Sequence, residues 1–214
     1  EVAVAYTRWT LAANSALLDL PYPYPQATSV ATTANGMEYP MFVVNDYGDD
    51  HPETIFEVND HEHGHEWFPM VVGSNERRYA WMDEGINSYL NLFTLERFDP
   101  ERDVWGDYVS AWQITQGTAG DVPLMTAPDA VPEDALGTIA YLKPAAVLLF
   151  LRNHVVDRTL FDQAMREYVR RWQYRHPTPW DFFRTVEDVT GESLDWFWDQ
   201  FFFGTAVIDV GIDS

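Results

Sequence analysis

The chain has 214 residues, enough for one domain with a substantial hydrophobic core. Its hydrophobic residues, 46% of the total, exclude a disordered composition, and the lack of cysteine excludes disulfides and thiol chemistry. Asp and Glu number 34 against 13 Lys and Arg, and the resulting net charge of −21 would repel phosphate backbones, which excludes nucleic-acid binding.

The acidic surplus has two interpretations. Only one of the basic residues, Lys143, is a lysine. A lysine-poor acidic composition is typical of proteins adapted to high salt, where counterions screen the repulsion between carboxylates. A codon bias toward arginine combined with an ordinary acidic surface would give the same composition. The sequence leaves both interpretations open.

The amino-terminal part of the chain predicts one helix and a small strand region. The helix covers residues 1–20, and the proline-rich run 21–25 ends it. Short strands are predicted over 27–31 and 41–44, around a turn at residues 35–36.

The rest of the chain predicts helices. A long one runs from residue 52 to 72, and a second from 79 to 98. Further helices are predicted over 103–116, 137–156, 160–174, 179–189 and 194–202. A surface loop covers 117–134, and the longest apolar stretch, 145–151, is too short to span a membrane. The predicted fold class is mainly α with a small β portion, α+β.

The sequence also predicts the domain organisation. Residues 1–205 should form one domain. Residues 206–214 are apolar and β-branched, and they should be the first strand of a neighbouring domain. The chain begins inside a predicted helix without an initiating Met, which indicates a piece of a longer protein.

The run from His61 to His65 carries the signal for a metal. Residues four apart share a helix face, so the imidazoles of His61 and His65 can converge on one ion while the carboxylate of Glu62 lies beside it. Zinc held by two imidazoles needs a third protein ligand and an open position for water, and Glu84 on the next helix supplies that ligand. The pattern predicts one zinc ion per chain.

Two alternative ligand sets are weaker. A metzincin needs Gly three residues and His six residues beyond His65, where Phe68 and Val71 stand, so that family is excluded. Glu76 competes with Glu84 as the third ligand. However, Glu76 lies beside two arginines in a connecting segment, where an acid is usually part of a solvated ion pair.

Glu62 is the predicted general base, although a surface carboxylate on a helix is the simpler alternative. Its position directly after the first ligand places it beside the water on the metal, where it can take a proton and later deliver it to the leaving amine. His63 lies about 200° around the helix from His61 and points away from the metal, so we expect it to be packed or hydrogen-bonded.

Four separated segments together resemble the catalytic domain of the aminopeptidase N family of gluzincin metallopeptidases, with its leukotriene-hydrolase relatives. In the family's order they are residues 36–40, 61–65, 81–89 and 141–144. The resemblance implies a thermolysin-like fold, a peptide substrate and zinc-dependent removal of amino-terminal residues. The β-rich domain that precedes this catalytic domain in the family, and the helical region that follows it, have no counterpart here.

The resemblance also implies roles for residues outside the metal set. Tyr141 would stabilise the oxyanion, whereas its place in an apolar helix by itself fits a core tyrosine equally well. Glu38 would bind the α-ammonium of the substrate, which makes an exopeptidase. Gly36 and Met37 would line the substrate edge. Two other functions stay open: an endopeptidase or other hydrolase on the same zinc site, and a non-catalytic module that binds zinc or a partner.

Overall fold

The computed structural model describes residues 2–33, 36–48 and 51–205. In chain order its elements are α1 (Val2–Leu18), β1 (Thr28–Thr32), β2 (Met37–Tyr39), β3 (Phe42–Asp46), α2 (Pro52–Gly64), α3 (Ile86–Phe98), α4 (Val104–Thr115), α5 (Lys143–Phe150), α6 (Arg158–Trp172), α7 (Pro179–Thr190) and α8 (Asp195–Phe201). Three π-helical turns flank α3 and α5, at Trp81–Gly85, Thr138–Leu142 and Leu151–Val155. The predicted class, mainly α with a small β portion, is confirmed. The stretch 206–214, predicted to begin a neighbouring domain, lies outside the described residues.

The three strands form one small sheet in the order β1-β3-β2. β1 runs parallel to β3, and β2 pairs antiparallel with it in the register Glu38↔Val43. β1 and β3 lie within two residues of the predicted strands. β2 was not predicted, because three residues are too few to show an alternating pattern. It lies at the sheet edge and carries Met37 and Glu38.

The helix that carries the histidines ends earlier than predicted. α2 stops at Gly64, and the expectation that it continues to residue 72 is wrong. Pro69 cannot donate a backbone hydrogen bond and disfavours helical geometry in the residue before it, so the chain leaves the helix here. His65 still has helical dihedral angles, φ −59° and ψ −16°, and its N–H bonds to the carbonyl of His61 at 3.3 Å. The spacing of the two imidazoles therefore survives.

Aromatic packing anchors the segment that carries Glu84. The ring of Trp81 is buried, with its centroid 4.8 Å from that of Phe202 and stacked 6.0 Å from that of Phe183. Most of the carboxy-terminal aromatic run is buried with them, as expected for core packing. Because aromatic pairs of this kind add to the free energy of burial, they fix the start of the second site helix against α7 and α8.

A buried ion pair and a hydrogen bond connect the predicted surface loop 117–134 to the core. Lys143 Nζ lies 2.8 Å from Asp121 Oδ1, and the two side chains are only 2% and 4% exposed. The same ammonium donates to the carbonyl of Val122 at 3.1 Å. Removal of either partner would leave the other charge buried and unpaired, which strongly destabilises the folded state. These contacts hold the loop against the start of α5.

No helix in the described part of the chain is long and apolar enough to cross a membrane.

Salt should stabilise the fold. Between 0.05 and 1 M NaCl the Debye length falls from above 10 Å to about 3 Å, which screens the repulsion among the 34 carboxylates. We expect a gain of about 1 kcal/mol, or about 2–4 °C in melting temperature for a chain of this size, by thermal denaturation at pH 7.

The control is the same titration near pH 4, where carboxylates protonate and the effect should shrink. A melting temperature that stays flat or falls with salt at pH 7 would contradict the adaptation to high salt.

Candidate active site

Two imidazoles and one carboxylate converge at a single point between α2 and α3. The Nε2 atoms of His61 and His65 lie 3.1 Å apart, and each lies 3.2 Å from Glu84 Oε2. A tetrahedral zinc ion with bonds of about 2.0–2.1 Å separates its ligand atoms by about 3.3 Å. The three side chains therefore fit a zinc ion without rearrangement.

The outer nitrogen of each imidazole is held by a partner. His61 Nδ1 lies 2.9 Å from Asn91 Oδ1. His65 Nδ1 lies 2.8 Å from the carbonyl oxygen of Phe68 and 3.0 Å from Asp83 Oδ1. When Nδ1 donates to these oxygens, the lone pair of each Nε2 points to the common centre, which is how proteins orient histidine ligands.

Asn91 is itself oriented by a buried acid. Its amide donates to Asp60 Oδ2 at 2.8 Å, and Thr10 of α1 donates to Asp60 Oδ1 at 2.7 Å. Burial raises the pKa of Asp60 to about 6, against the hydrogen bonds of Thr94, Thr10 and Asn91 that lower it. A chain of contacts thus runs from the core carboxyl through Asn91 to the first imidazole.

The charges at the centre favour a cation. Burial would raise the pKa of Glu84, but the hydrogen bonds and charges of His61 and His65 outweigh burial and hold it well below its usual range. Burial would lower the pKa of His65, but Asp83 and Glu84 raise it well above its ordinary value. The surplus of negative charge at this point is what a divalent metal neutralises.

Glu62 lies beside the convergent set. It is 5% exposed, and its Oε2 has no partner among the described residues. Burial raises its pKa to about 7, which matches the range a general base needs at neutral pH. A Cβ at Gly36 would collide with the Glu62 carboxylate, so the backbone at Gly36 rests directly against this side chain.

Tyr141 belongs to the site and not to the core. Its phenol donates to Glu84 Oε1 at 2.7 Å, and its ring centroid lies 5.6 Å from that of His61. Burial, followed by the charge of Glu84, raises the pKa of Tyr141 above its ordinary value, so the hydroxyl keeps its proton. The structure therefore places this side chain in the cleft, in contact with Glu84.

One cleft of about 320 Å³ brings the predicted site residues together. All of them line it: Gly36, Met37, Glu38, His61, Glu62, His65, Glu84 and Tyr141. Larger cavities of about 540 and 600 Å³ exist in the described part of the chain, but the convergent ligands belong to the smaller cleft. Tertiary structure thus unites segments that are 105 positions apart, from residue 36 to residue 141.

Residues outside the predicted set also line the cleft: Glu76, Arg77, Ala80, Asp83, Pro128, Leu136 and Ala140. The sequence holds a signal for the partners of the histidines, because Glu84, Asn87 and Asn91 are spaced three and four apart and share one face of a helix. No comparable local signal exists for Pro128 or Leu136, which come from the loop before α5.

Glu76 does not form the predicted solvated ion pair with its neighbours. Arg77 pairs with Asp129 at 2.8 Å, and the Arg78 guanidinium lies 5.7 Å from the ring centroid of Tyr79. Glu84, not Glu76, reaches the two imidazoles.

His63 is fully buried, and its Nδ1–H donates to the backbone carbonyl oxygen of Asn59 at 2.9 Å. Burial lowers its pKa to about 4. The expectation of a packed, hydrogen-bonded histidine is confirmed.

The contact between Asn91 and His61 predicts an effect on metal affinity. Asn91→Ala should weaken zinc binding about 10–100-fold, the usual cost of losing a partner that orients a histidine ligand. Competition with a chromogenic chelator measures it. Gln163→Ala, an exposed change on α6, is the control. Equal affinities for the two variants would show that Asn91 does not orient the ligand.

The fold and the convergent His-His-Glu set place the chain in the class of gluzincin catalytic domains. The sequence pattern of the Peptidase family M1 domain matches residues 3–201. The chain belongs to peptidase family M1.

Individual relatives agree with this assignment. Aminopeptidase 2, mitochondrial, of Saccharomyces cerevisiae is 23% identical over 91% of this chain and 22% of its own length. Aminopeptidase M1-C of Oryza sativa subsp. japonica is 22% identical over 82% of this chain and 22% of its own length. The chain therefore spans about a fifth of the length of these relatives.

Solved structures show the same fold. The M1 zinc metallopeptidase from Deinococcus radiodurans superposes with a TM-score of 0.75 and 20% identity, covering 97% of this chain and 46% of that one. Native yeast LTA4 hydrolase gives a TM-score of 0.75 at 16% identity, covering 95% of this chain and 35% of that one. At these identities the likeness establishes the fold.

Proposed function

We propose that residues 1–205 form the catalytic domain of a zinc-dependent aminopeptidase that removes amino-terminal residues from peptides. The observation that carries this proposal is the spacing of about 3.1–3.2 Å among His61 Nε2, His65 Nε2 and Glu84 Oε2 inside a cleft that also holds Glu62 and Glu38. Membership of peptidase family M1 and the names of the relatives support it.

His61, His65 and Glu84 are the proposed zinc ligands, one ion per chain. Zinc at this position supplies a Lewis acid for the scissile carbonyl and lowers the pKa of a bound water. Glu62 then acts as the general base. Its carboxylate takes a proton from the attacking water and later delivers that proton to the leaving amine.

Tyr141 is the proposed oxyanion donor. Its phenol keeps its proton and already donates at 2.7 Å within the ligand set, to Glu84 Oε1. A small rotation of the side chain would redirect this donor to the carbonyl oxygen of a substrate. A phenol O–H that donates there, in a cleft of low dielectric, stabilises the charge that develops on that oxygen.

Glu38 is the proposed anchor for the amino terminus. It lies on the edge strand β2, it is half-buried, and burial raises its pKa, with the charge of His65 acting in the opposite direction. Gly36 and Met37 precede it along the same edge. A peptide lying along β2 would place its ammonium at Glu38 and its first peptide bond toward the ligand set.

A matched pair of peptides tests the exopeptidase assignment. We expect kcat/KM for a peptide with a free amino terminus to exceed that of its acetylated twin by about tenfold or more, about 1.4 kcal/mol, because acetylation removes the cation that Glu38 binds. Glu38→Gln should abolish most of this difference.

Glu192→Gln, an exposed change after α7 that removes the same charge, should leave the difference intact. Equal rates on the two peptides for the wild-type protein would favour an endopeptidase, and a zinc-loaded protein without activity on either would favour a binding module.

A further inference from the structure

Glu76 is a carboxylate without a cation. It lies in the connection between α2 and the π-helical turn at Trp81–Gly85. Among the described residues no basic side chain lies within ion-pair distance of it, because Arg77 is engaged by Asp129 at 2.8 Å and Arg78 lies over the Tyr79 ring. Two adjacent arginines would ordinarily neutralise such an acid. Here they point elsewhere.

Glu76 is an exposed residue that lines the catalytic cleft together with other carboxylates. It lines the cleft together with Glu38, and burial followed by the charge of Glu38 raises its pKa. Glu62, which is 5% exposed and has an unpartnered Oε2, lines the same space. Ionised carboxylates in the same site repel one another, and a cation bound between them relieves this repulsion. The arrangement therefore points to a cationic group of the ligand at this place.

The charges that line a neighbouring groove distinguish between two candidate cations, a basic side chain of the substrate and its α-ammonium. Glu76 also lines an adjoining groove of about 600 Å³. The groove's basic lining residues are Arg77, Arg78 and His176. A basic side chain that extended past Glu76 into this groove would meet these cationic groups and be repelled. Arg77 also lines the cleft, but its guanidinium is paired with Asp129 at 2.8 Å. An ammonium group that stays in the cleft lies among the carboxylates of Glu38, Glu62 and Glu76, and its three N–H donors can serve two of them at once.

We propose that Glu76 and Glu38 together hold the α-ammonium of the substrate, so that Glu76 is a second specificity-determining residue for a free amino terminus. This inference rests on the proposed aminopeptidase function and adds a residue to it. It also gives Glu76 a role other than metal binding, since its carboxylate lines the cleft with Glu38 and lies outside the convergent set that Glu84 completes.

Steady-state kinetics of the zinc-loaded chain tests the proposal. Glu76→Gln should raise KM about tenfold for alanyl and arginyl reporter substrates alike, with kcat within about twofold of wild type, because the ammonium is common to both. The acetylated peptide should be cleaved at an unchanged rate. Glu192→Gln is the charge-matched control, and zinc content should stay at one ion per chain in both variants.

A binding measurement separates this proposal from the function on which it rests. In the Glu62→Gln background, calorimetry with alanine amide should show a Kd about tenfold weaker after Glu76→Gln. An unchanged Kd would overturn the role of Glu76 even if the wild-type protein is an active aminopeptidase. A KM effect confined to arginyl substrates would also overturn it, in favour of side-chain recognition. No turnover by wild type would instead count against the proposed function.

Discussion

Glu62→Gln should lower kcat on an aminoacyl reporter by about 10²–10⁴-fold, the range attributed to a positioned general base. The amide keeps the shape of the side chain but cannot accept a proton. Because Glu62 is 5% exposed and lies against Gly36, the substitution removes the basic group without opening the cleft. KM should change little, since the lost interaction acts in the transition state.

Zinc content is the control for this variant. Glu62 contributes no atom to the convergent His61-His65-Glu84 set, so the variant should retain about one zinc per chain. Metal analysis of the same preparation that is used for kinetics decides the point. An active Glu62→Gln protein would contradict the assignment of the base, and an inactive one that has lost zinc would assign Glu62 a structural role at the metal.

Glu84→Ala should weaken zinc retention far more than Glu76→Ala. Glu84 Oε2 lies 3.2 Å from both imidazole nitrogens, whereas Glu76 lines the same cleft outside the convergent set. Loss of a direct ligand should cost more than the about 10–100-fold that follows from loss of a partner behind a ligand. Dialysis against a chelator followed by metal analysis measures the difference.

A second readout follows from linkage. A ligand that binds only the folded state raises its stability by RT ln(1 + [L]/Kd), so added zinc should raise the melting temperature of wild type and of Glu76→Ala. Glu84→Ala should respond to zinc only weakly at the same concentration. Equal loss of zinc from the two variants would refute the assignment of Glu84 as the third ligand.

Features that depend on local periodicity were predictable from the amino-acid sequence. His61, Glu62 and His65 are close in sequence, and the geometry of a helix fixes their relative directions whatever surrounds them. The same periodicity gave the helices over most of the chain. It also gave the buried, hydrogen-bonded His63, because a residue two positions from a ligand must face the opposite side.

The end of α2 was not predictable from the periodicity of apolar residues alone. The apolar residues after His65 continue a helical pattern, but Pro69 and the contact of this segment with the core stop α2 at Gly64. The strand β2 was missed for a related reason. Its three residues form a strand only because β3 lies beside them to complete the hydrogen bonds.

Which acidic residues line the same cleft could be seen only in the tertiary structure. The sequence places Glu76 beside two arginines and predicts an ion pair, yet the folded chain sends Arg77 to Asp129, a residue 52 positions away. It likewise brings Tyr141 to Glu84 across 57 positions. Contacts over such distances depend on how whole helices pack, which local spacing does not encode. The convergence of His61, His65 and Glu84 was therefore predictable from the sequence, whereas the electrostatics of the cleft around them required the fold.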